Sequence, residues 1–175
     1  ANNVRSITLT PTLANASGSI TVNGDAIING QSTSVINLEA GANVLTVVGT
    51  AQDGSTQQIY TVTVTRTGPS TDATLSGLAL SAGLLSPTFA SGTASYTATV
   101  ANSVSSITLT PTPTDAGATI SVNGDVVASG QSSGIVNVSV GTNTLTIVVT
   151  AQDGSTQQSY TVTVTRTAPA TDATL

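Results

Sequence analysis

The sequence predicts an all-β protein built from tandem Greek-key β-sandwiches of seven to eight strands each. Three observations predict it. Apolar and polar residues alternate with period two along most of the chain. Turn dipeptides interrupt that alternation at short intervals. Residues 1–75 superimpose on residues 101–175 without a gap, and 48 of the 75 positions are identical. A period of 100 residues is too long for a solenoid repeat and fits one small β-domain.

The strands are justified in order along the second copy. The spacing predicts strands near 75–80, 94–100, 105–111, 118–122, 125–128, 134–139, 143–152 and 157–166. Ser106-Ile-Thr-Leu-Thr-Pro111 points Ile107 and Leu109 inward. Leu145, Ile147 and Val149 repeat the pattern, and so do Tyr160, Val162 and Val164, with Thr161, Thr163 and Thr165 on the other face. Such alternation marks half-buried antiparallel strands. Asn123-Gly124 and Asp153-Gly154 read as type I′ hairpin turns, which need positive φ at both central residues. Gly141-Thr-Asn143 reads as a further tight connection. No stretch of helical period is long enough to predict a helix.

Three segments follow: residues 1–70, a first sandwich lacking its opening strands; residues 71–167, a second sandwich; and residues 168–175, a linker and the start of a third repeat. The linker Thr167-Ala-Pro-Ala-Thr-Asp172 is short and contains Pro, which predicts semi-rigid neighbours. The expected parent is a longer array.

Leu75-Ser-Gly-Leu-Ala-Leu-Ser-Ala-Gly83, Leu85-Ser-Pro-Thr-Phe89 and Tyr96-Thr-Ala-Thr-Val100 resemble the opening of the bacterial cadherin-like β-sandwich domain. The resemblance continues through Val122-Asn-Gly124, Gly141-Thr-Asn143, Ala151-Gln-Asp-Gly154 and Tyr160-Thr-Val-Thr-Val-Thr-Arg166. It implies Ig/cadherin-like sandwiches in tandem within bacterial surface or secreted proteins. Domains of that family have been linked to carbohydrate binding, but the resemblance carries no ligand site with it.

Composition excludes several functions. The chain has no Cys, His, Met, Trp or Lys, so disulfides, thiolate metal sites and histidine bases are ruled out. Arg5, Arg66 and Arg166 are the only basic residues, against a net charge of −5. They cannot neutralise a run of phosphates, so no nucleic-acid partner and no anionic membrane surface is expected. Nothing in the segment inserts into a membrane. Ser and Thr supply 22 and 34 residues, and the apolar residues are β-branched and regularly spaced, which is not a disordered composition.

Gly130-Gln-Ser132-Ser-Gly134 matches the nucleophile-elbow pattern, but that motif needs a strand-to-helix turn and a base. The first copy reads Gly30-Gln-Ser-Thr-Ser34, so the segment reads as a polar turn and the chain as a non-enzyme. The acids Asp25, Glu39, Asp53, Asp72, Asp115, Asp125, Asp153 and Asp172 are scattered. No cofactor is expected. The one metal candidate is a junctional Ca²⁺ site using Asp72 and Asp153, since the last hairpin turn of such a sandwich faces the preceding linker, and Ca²⁺ needs six to eight oxygens. Tyr60, Tyr96, Tyr160 and Phe89 read as core residues, which leaves no aromatic platform for a sugar. The Thr rows 108/110/112 and 161/163/165 read as solvent-facing strand formers.

Identity between the copies is uneven. Residues 50–75 match 150–175 at 23 of 26 positions, whereas 11–40 match 111–140 at 12 of 30. The near-constant segments are the last hairpin, the linker and the next strand's start, the parts from which a domain junction would be built. The surface also lacks the Lys residues that commonly guard sheet edges. The expectation is an extracellular structural segment of a filament, surface layer or adhesin stalk. Its partners would be neighbouring copies; the alternative is a carbohydrate-binding module.

Overall fold

A computed structural model describes residues 3–171. Fifteen strands follow in chain order: β1 (Ser6–Ile7), β2 (Ser19–Val22), β3 (Asp25–Ile27), β4 (Ile36–Asn37), β5 (Gly41–Thr50), β6 (Gln57–Arg66), β7 (Leu75–Leu80), β8 (Ser95–Val100), β9 (Ser106–Ile107), β10 (Leu109–Pro113), β11 (Thr119–Val122), β12 (Asp125–Val127), β13 (Val136–Asn137), β14 (Gly141–Thr150) and β15 (Gln157–Arg166). No helix occurs among the described residues. The chain divides into two compact units, Ala1–Pro69 and Ser70–Leu175.

In the second unit a five-stranded sheet runs β12-β11-β14-β15-β8. The opposite layer is made of two pairs, β7–β10 and β9–β13. The segment predicted as one strand over 105–111 is therefore two, because the chain leaves its pairing with β13 and takes up β7 within two residues. Between the layers lie Leu75, Leu78, Tyr96, Ala98, Ile107, Leu109, Ile120, Leu145, Ile147, Val149, Tyr160, Val162 and Val164, all buried. Each large member contributes about 1.5–3 kcal/mol relative to exposure. Phe89 packs on the rim of this core with its ring stacked on Tyr96, centroids 6.1 Å apart.

Two sequence expectations are corrected. The sheet is not wholly antiparallel: β8 runs parallel to β15, from Thr161 opposite Ser95 to Arg166 opposite Val100. Period-two alternation is the same in both directions, so it cannot distinguish them. Asp153-Gly154 is also not a two-residue hairpin turn. Thr150 pairs Gln157, leaving a six-residue loop from Ala151 to Thr156 in which only Gly154 has positive φ, at 71–73° in the two copies. The loop is closed by Ala151 N–H donating to Thr156 O at 2.8 Å and Gly154 N–H donating to Ala151 O at 3.0 Å. Asn123-Gly124 does form the predicted turn, with φ of 50° and 97°. Asn123 also accepts the Thr146 amide on its side-chain oxygen at 2.9 Å, tying the turn to β14.

The first unit repeats this frame without its opening strands. All ten β14–β15 pairs recur in β5–β6 at positions 100 lower, and β2–β5 and β1–β4 recur likewise. Its sheet runs β3-β2-β5-β6, so β6 is an edge where β15 is not. No strand of this unit occupies the places of β7 and β8 among the described residues. The consequence is visible in Leu-Thr-Pro-Thr, which is present at 109–112 and at 9–12. With β7 beside it the segment is strand β10; without a partner, residues 9–12 form no ladder.

Candidate functional site

The segment that matched a nucleophile elbow lies in an irregular stretch between β12 and β13, not at a strand-to-helix turn. Its Ser132 hydroxyl meets the Thr110 hydroxyl at 3.2 Å. The neighbouring Ser133 is buried: its hydroxyl accepts the Leu109 amide at 3.0 Å and donates to Gly134 O at 2.8 Å. Thr33 does the same for the Leu9 amide at 3.0 Å. These hydroxyl clamps hold the loop onto strand β10 at Leu109 and onto the irregular segment at Leu9. They belong to the fold, and the sequence reading passed over them.

The two calcium candidates are placed as follows. Asp153 sits in the β14–β15 loop and turns its carboxylate inward on that loop. It accepts from the Ser155 and Thr156 amides at 2.9 and 2.8 Å and from the Ser155 and Thr156 hydroxyls at 2.9 and 2.6 Å. These donors, the Thr156 hydroxyl foremost, hold its carboxyl well below the ordinary 3.8. Asp53 in the first unit has the same surroundings, and its pKa falls to about 2. Asp72 accepts the Thr74 amide and hydroxyl at 2.8 and 2.6 Å. Among the described residues no three acidic side chains gather into a potential ligand set. Asp172 lies outside the described residues.

The expected proximity of the last hairpin loop to the preceding linker is present. Asp153 N–H donates to Ser70 O at 3.0 Å, and Ser70 N–H donates to Gln152 Oε1 at 3.1 Å. A hydrogen bond from the Ser70 hydroxyl lowers the pKa of Asp115. Thus Ser70, the first residue of the second unit, is held at both backbone groups by the β14–β15 loop of that same unit.

Tyr60 departs from the core position expected for it. Tyr96 and Tyr160 are buried as expected, but Tyr60 is 57% exposed although its strand matches β15 at nine of ten residues. In the second unit, β7 and β8 cover Tyr160, Val162 and Val164; among the described residues of the first no strand does so, and Val62 and Val64 are half-buried. An apolar groove of about 480 Å³ opens there, lined by Leu9, Pro11, Leu13, Ile20, Val47, Tyr60 and Val62. A second hollow of about 310 Å³ continues it past Tyr60 to Gln57, Gln58 and Thr56. The Thr rows are likewise less solvated than expected: Thr108, Thr110, Thr112, Thr161 and Thr163 are half-buried, because β7 and β8 flank them.

The family model of the cadherin-like beta sandwich domain matches residues 1–67 and again 71–167. The chain belongs to that family. A protein of Evansella cellulosilytica, whose name describes it as a membrane protein, is 38% identical over 138 residues. That match covers 72% of this chain and 21% of the relative, so the chain spans about a fifth of the relative's length. Similar solved structures include the fibronectin(III)-like modules of Clostridium thermocellum CbhA, at 15% identity over 93% of this chain and 86% of that one, with a TM-score of 0.25. A chimeric titin Z1Z2-Z1Z2 tandem carrying a GRGDS peptide from fibronectin is 11% identical over 94% of this chain and 93% of that one, with a TM-score of 0.28. The sandwich assignment rests on the strand pairing and the family match. Among the described residues no helix is long and apolar enough to cross a membrane.

Proposed function

We propose that this cadherin-like chain is a structural repeat segment of a bacterial extracellular filament, surface layer or adhesin stalk. One observation carries the reading. The segments that hardly vary between copies are the last hairpin loop and the linker, and within the second unit that loop holds Ser70, where the linker ends in the unit, through the Asp153–Ser70 and Ser70–Gln152 bonds. A domain meant to stand free has no need to keep its linker and far loop constant together. An array whose successive domains must be seated alike does. Its partners are then neighbouring domains and neighbouring copies. Its work is mechanical: a cross-strand ladder and an apolar core resist extension, with Leu109, Ile147, Tyr160, Val162 and Val164 at the centre of that core. The membrane-protein name of the relative fits an array held at a cell surface.

Small-angle scattering tests it. Replacing Gly68–Asp72 by a longer Gly/Ser linker should turn a narrow distribution of inter-unit distances into a broad one. An unchanged distribution would sink the junction argument.

The carbohydrate-binding reading keeps one observation in its favour, the exposed Tyr60 beside Gln57 and Gln58. An aromatic face next to amides suits a sugar ring. Saturable binding on a glycan array, lost with Tyr60→Ala, would support it.

A further inference from the structure

Most strand edges of the second unit are short or closed. β9 and β13 have two residues each, and β12 has three and opens on Asp125. β8 is capped at Thr97, whose N–H donates to Ser86 O and whose carbonyl accepts the Ser86 N–H, both at 2.8 Å. β10 is covered from the loop at 130–133, where the Gly130 and Ser133 amides donate to Pro111 O and Leu109 O at 3.0 and 2.7 Å. β7 differs. Its ladder is with β10 alone among the described residues. Ser81 N–H donates to Thr108 O at 3.0 Å, so the antiparallel alternation turns the backbone groups of Ala79 toward β10 and those of Leu78 and Leu80 away from it. Pro111, which has no N–H to give, accordingly stands opposite Leu78. Neither a charge nor a proline guards this edge, and residues 73–114 carry no charged side chain at all. Beside it opens a hollow of about 360 Å³ lined by Leu78, Leu80, Leu84, Leu85 and Phe89, with Leu84 88% exposed.

We propose that the β7 edge is the surface through which two copies of this chain pair, antiparallel about a two-fold axis at Ala79. The inference rests on the reading that neighbouring copies are the partners, and it names the strand by which they meet. The edge is complementary to itself, as a two-fold contact requires. With Ala79 opposite the partner's Ala79, Leu78 faces the partner's Leu80 and Leu80 faces the partner's Leu78. Every outward N–H of these residues then meets an outward carbonyl, the main-chain pairing from which strand addition draws its affinity. The leucines fall on one face and join the two hollows into one apolar floor. On the other face Ala79 is exposed, and only methyl groups meet. Charge selects the same occupant. Each chain carries a net charge of −5, and an edge without acids lets two such chains approach with no carboxylates juxtaposed. An acidic or basic peptide would find no counter-charge in 73–114. A small apolar molecule or a lipid would fill the hollow but leave the amides of Leu78 and Leu80 unanswered.

Sedimentation velocity and amide exchange on the whole chain, from low to high micromolar concentration, test it. A reversible dimer should form, and exchange at Leu78 and Leu80 should slow about tenfold or more as it does. Ala79→Lys sets two ammonium groups opposite each other across the axis and should return the chain to monomer, as should Ala79→Glu with two carboxylates. An equal mixture of the two variants should dimerise again, because each lysine then faces a glutamate. Ala79 is exposed, so neither change removes a core contact, and recovery in the mixture rules out misfolding as the cause of the loss. Four outcomes would overturn the proposal: a monomer at every concentration; a dimer that leaves exchange at Leu78 and Leu80 unchanged; a dimer that persists in Ala79→Lys alone; or a mixture that stays monomeric. None of them bears on the seating of successive domains, which the linker replacement decides separately.

Discussion

The phenol oxygen of Tyr160 accepts the backbone N–H of Leu75 at 2.9 Å, 85 residues away in sequence and buried from solvent. The bond joins the first strand of the second unit to its last. Leu75 is fully buried, so its N–H needs an acceptor within the core, and Tyr160 supplies it.

Tyr160→Phe should therefore destabilise the second unit by about 1–3 kcal/mol, the cost of leaving a buried amide without its acceptor. Tyr60→Phe should change the first unit by less than about 0.5 kcal/mol, as for an ordinary surface substitution, since Tyr60 is 57% exposed. Hydrogen exchange followed separately in β5–β6 and β14–β15 reads both effects in one sample. Equal losses in the two units would refute the assignment of the bond.

The contrast between these tyrosines also marks how far the sequence could be read. Strands, their inward faces and the Asn-Gly turns were legible because alternation and positive φ are local demands. Tyr60 was not, because its exposure depends on a strand that the pattern around it does not mention. The parallel β8–β15 pair was illegible for a related reason: side-chain alternation carries no strand direction. Ser133 and Thr33 looked like members of a polar turn, and only the distant Leu109 and Leu9 amides reveal them as clamps. The Asp153 loop was read as a tight turn because Asp-Gly is common there, whereas the following Ser and Thr supply donors that favour a longer loop.

Asn143 is a second point where one side chain fastens several backbone groups. Its carboxamide accepts the Ser139 amide at 2.8 Å and donates to Ser139 O, Gly141 O and Val164 O at 2.8, 3.1 and 3.3 Å. Asn43 repeats the arrangement with Glu39, Gly41 and Val64. Asn143→Ala and Asn43→Ala should each cost about 1–3 kcal/mol in their own unit, since several polar groups lose their partner together. Asn→Asp should not rescue either, because an acid keeps the acceptor and loses the donors. Chemical denaturation of each variant measures this, and a neutral Asn143→Ala would count against it.

The loop aspartates set an acid limit. The Asp53 carboxyl is lowered from 3.8 to about 2 by the Thr56 hydroxyl first, then by the Thr56 and Ser55 amides. A lowered pKa means that the folded loop prefers the ionised form. Its contribution is whole above pH 3.8 and fades as pH falls through about 2. Asp153 should hold its loop to a lower pH still. Carboxyl carbon shifts in NMR should show Asp53 titrating near 2, and Thr56→Val should move that midpoint back toward 3.8. A midpoint already at the ordinary value in the unaltered chain would remove the loop's claim to acid sensitivity.

Leu13 and Gly49 form a compensating pair peculiar to the first unit. A Cβ placed on Gly49 would lie 2.9 Å from Leu13 Cδ2, so Leu13 fills space that a larger residue on β5 would need. The second unit carries Pro113 and Val149 at these positions, with Val149 fully buried. Gly49→Val alone gains strand propensity worth up to about 1 kcal/mol but must displace Leu13, at a cost of about 1–3 kcal/mol. Leu13→Ala alone loses apolar contact and leaves Gly49 bare. Together the two changes should cost less than the sum of the singles, with a coupling of about 0.5–3 kcal/mol. Hydrogen exchange across β5 and β6 in the three variants closes the cycle. Strict additivity would mean that Leu13 swings aside freely, and that the glycine at 49 owes nothing to the leucine beside it.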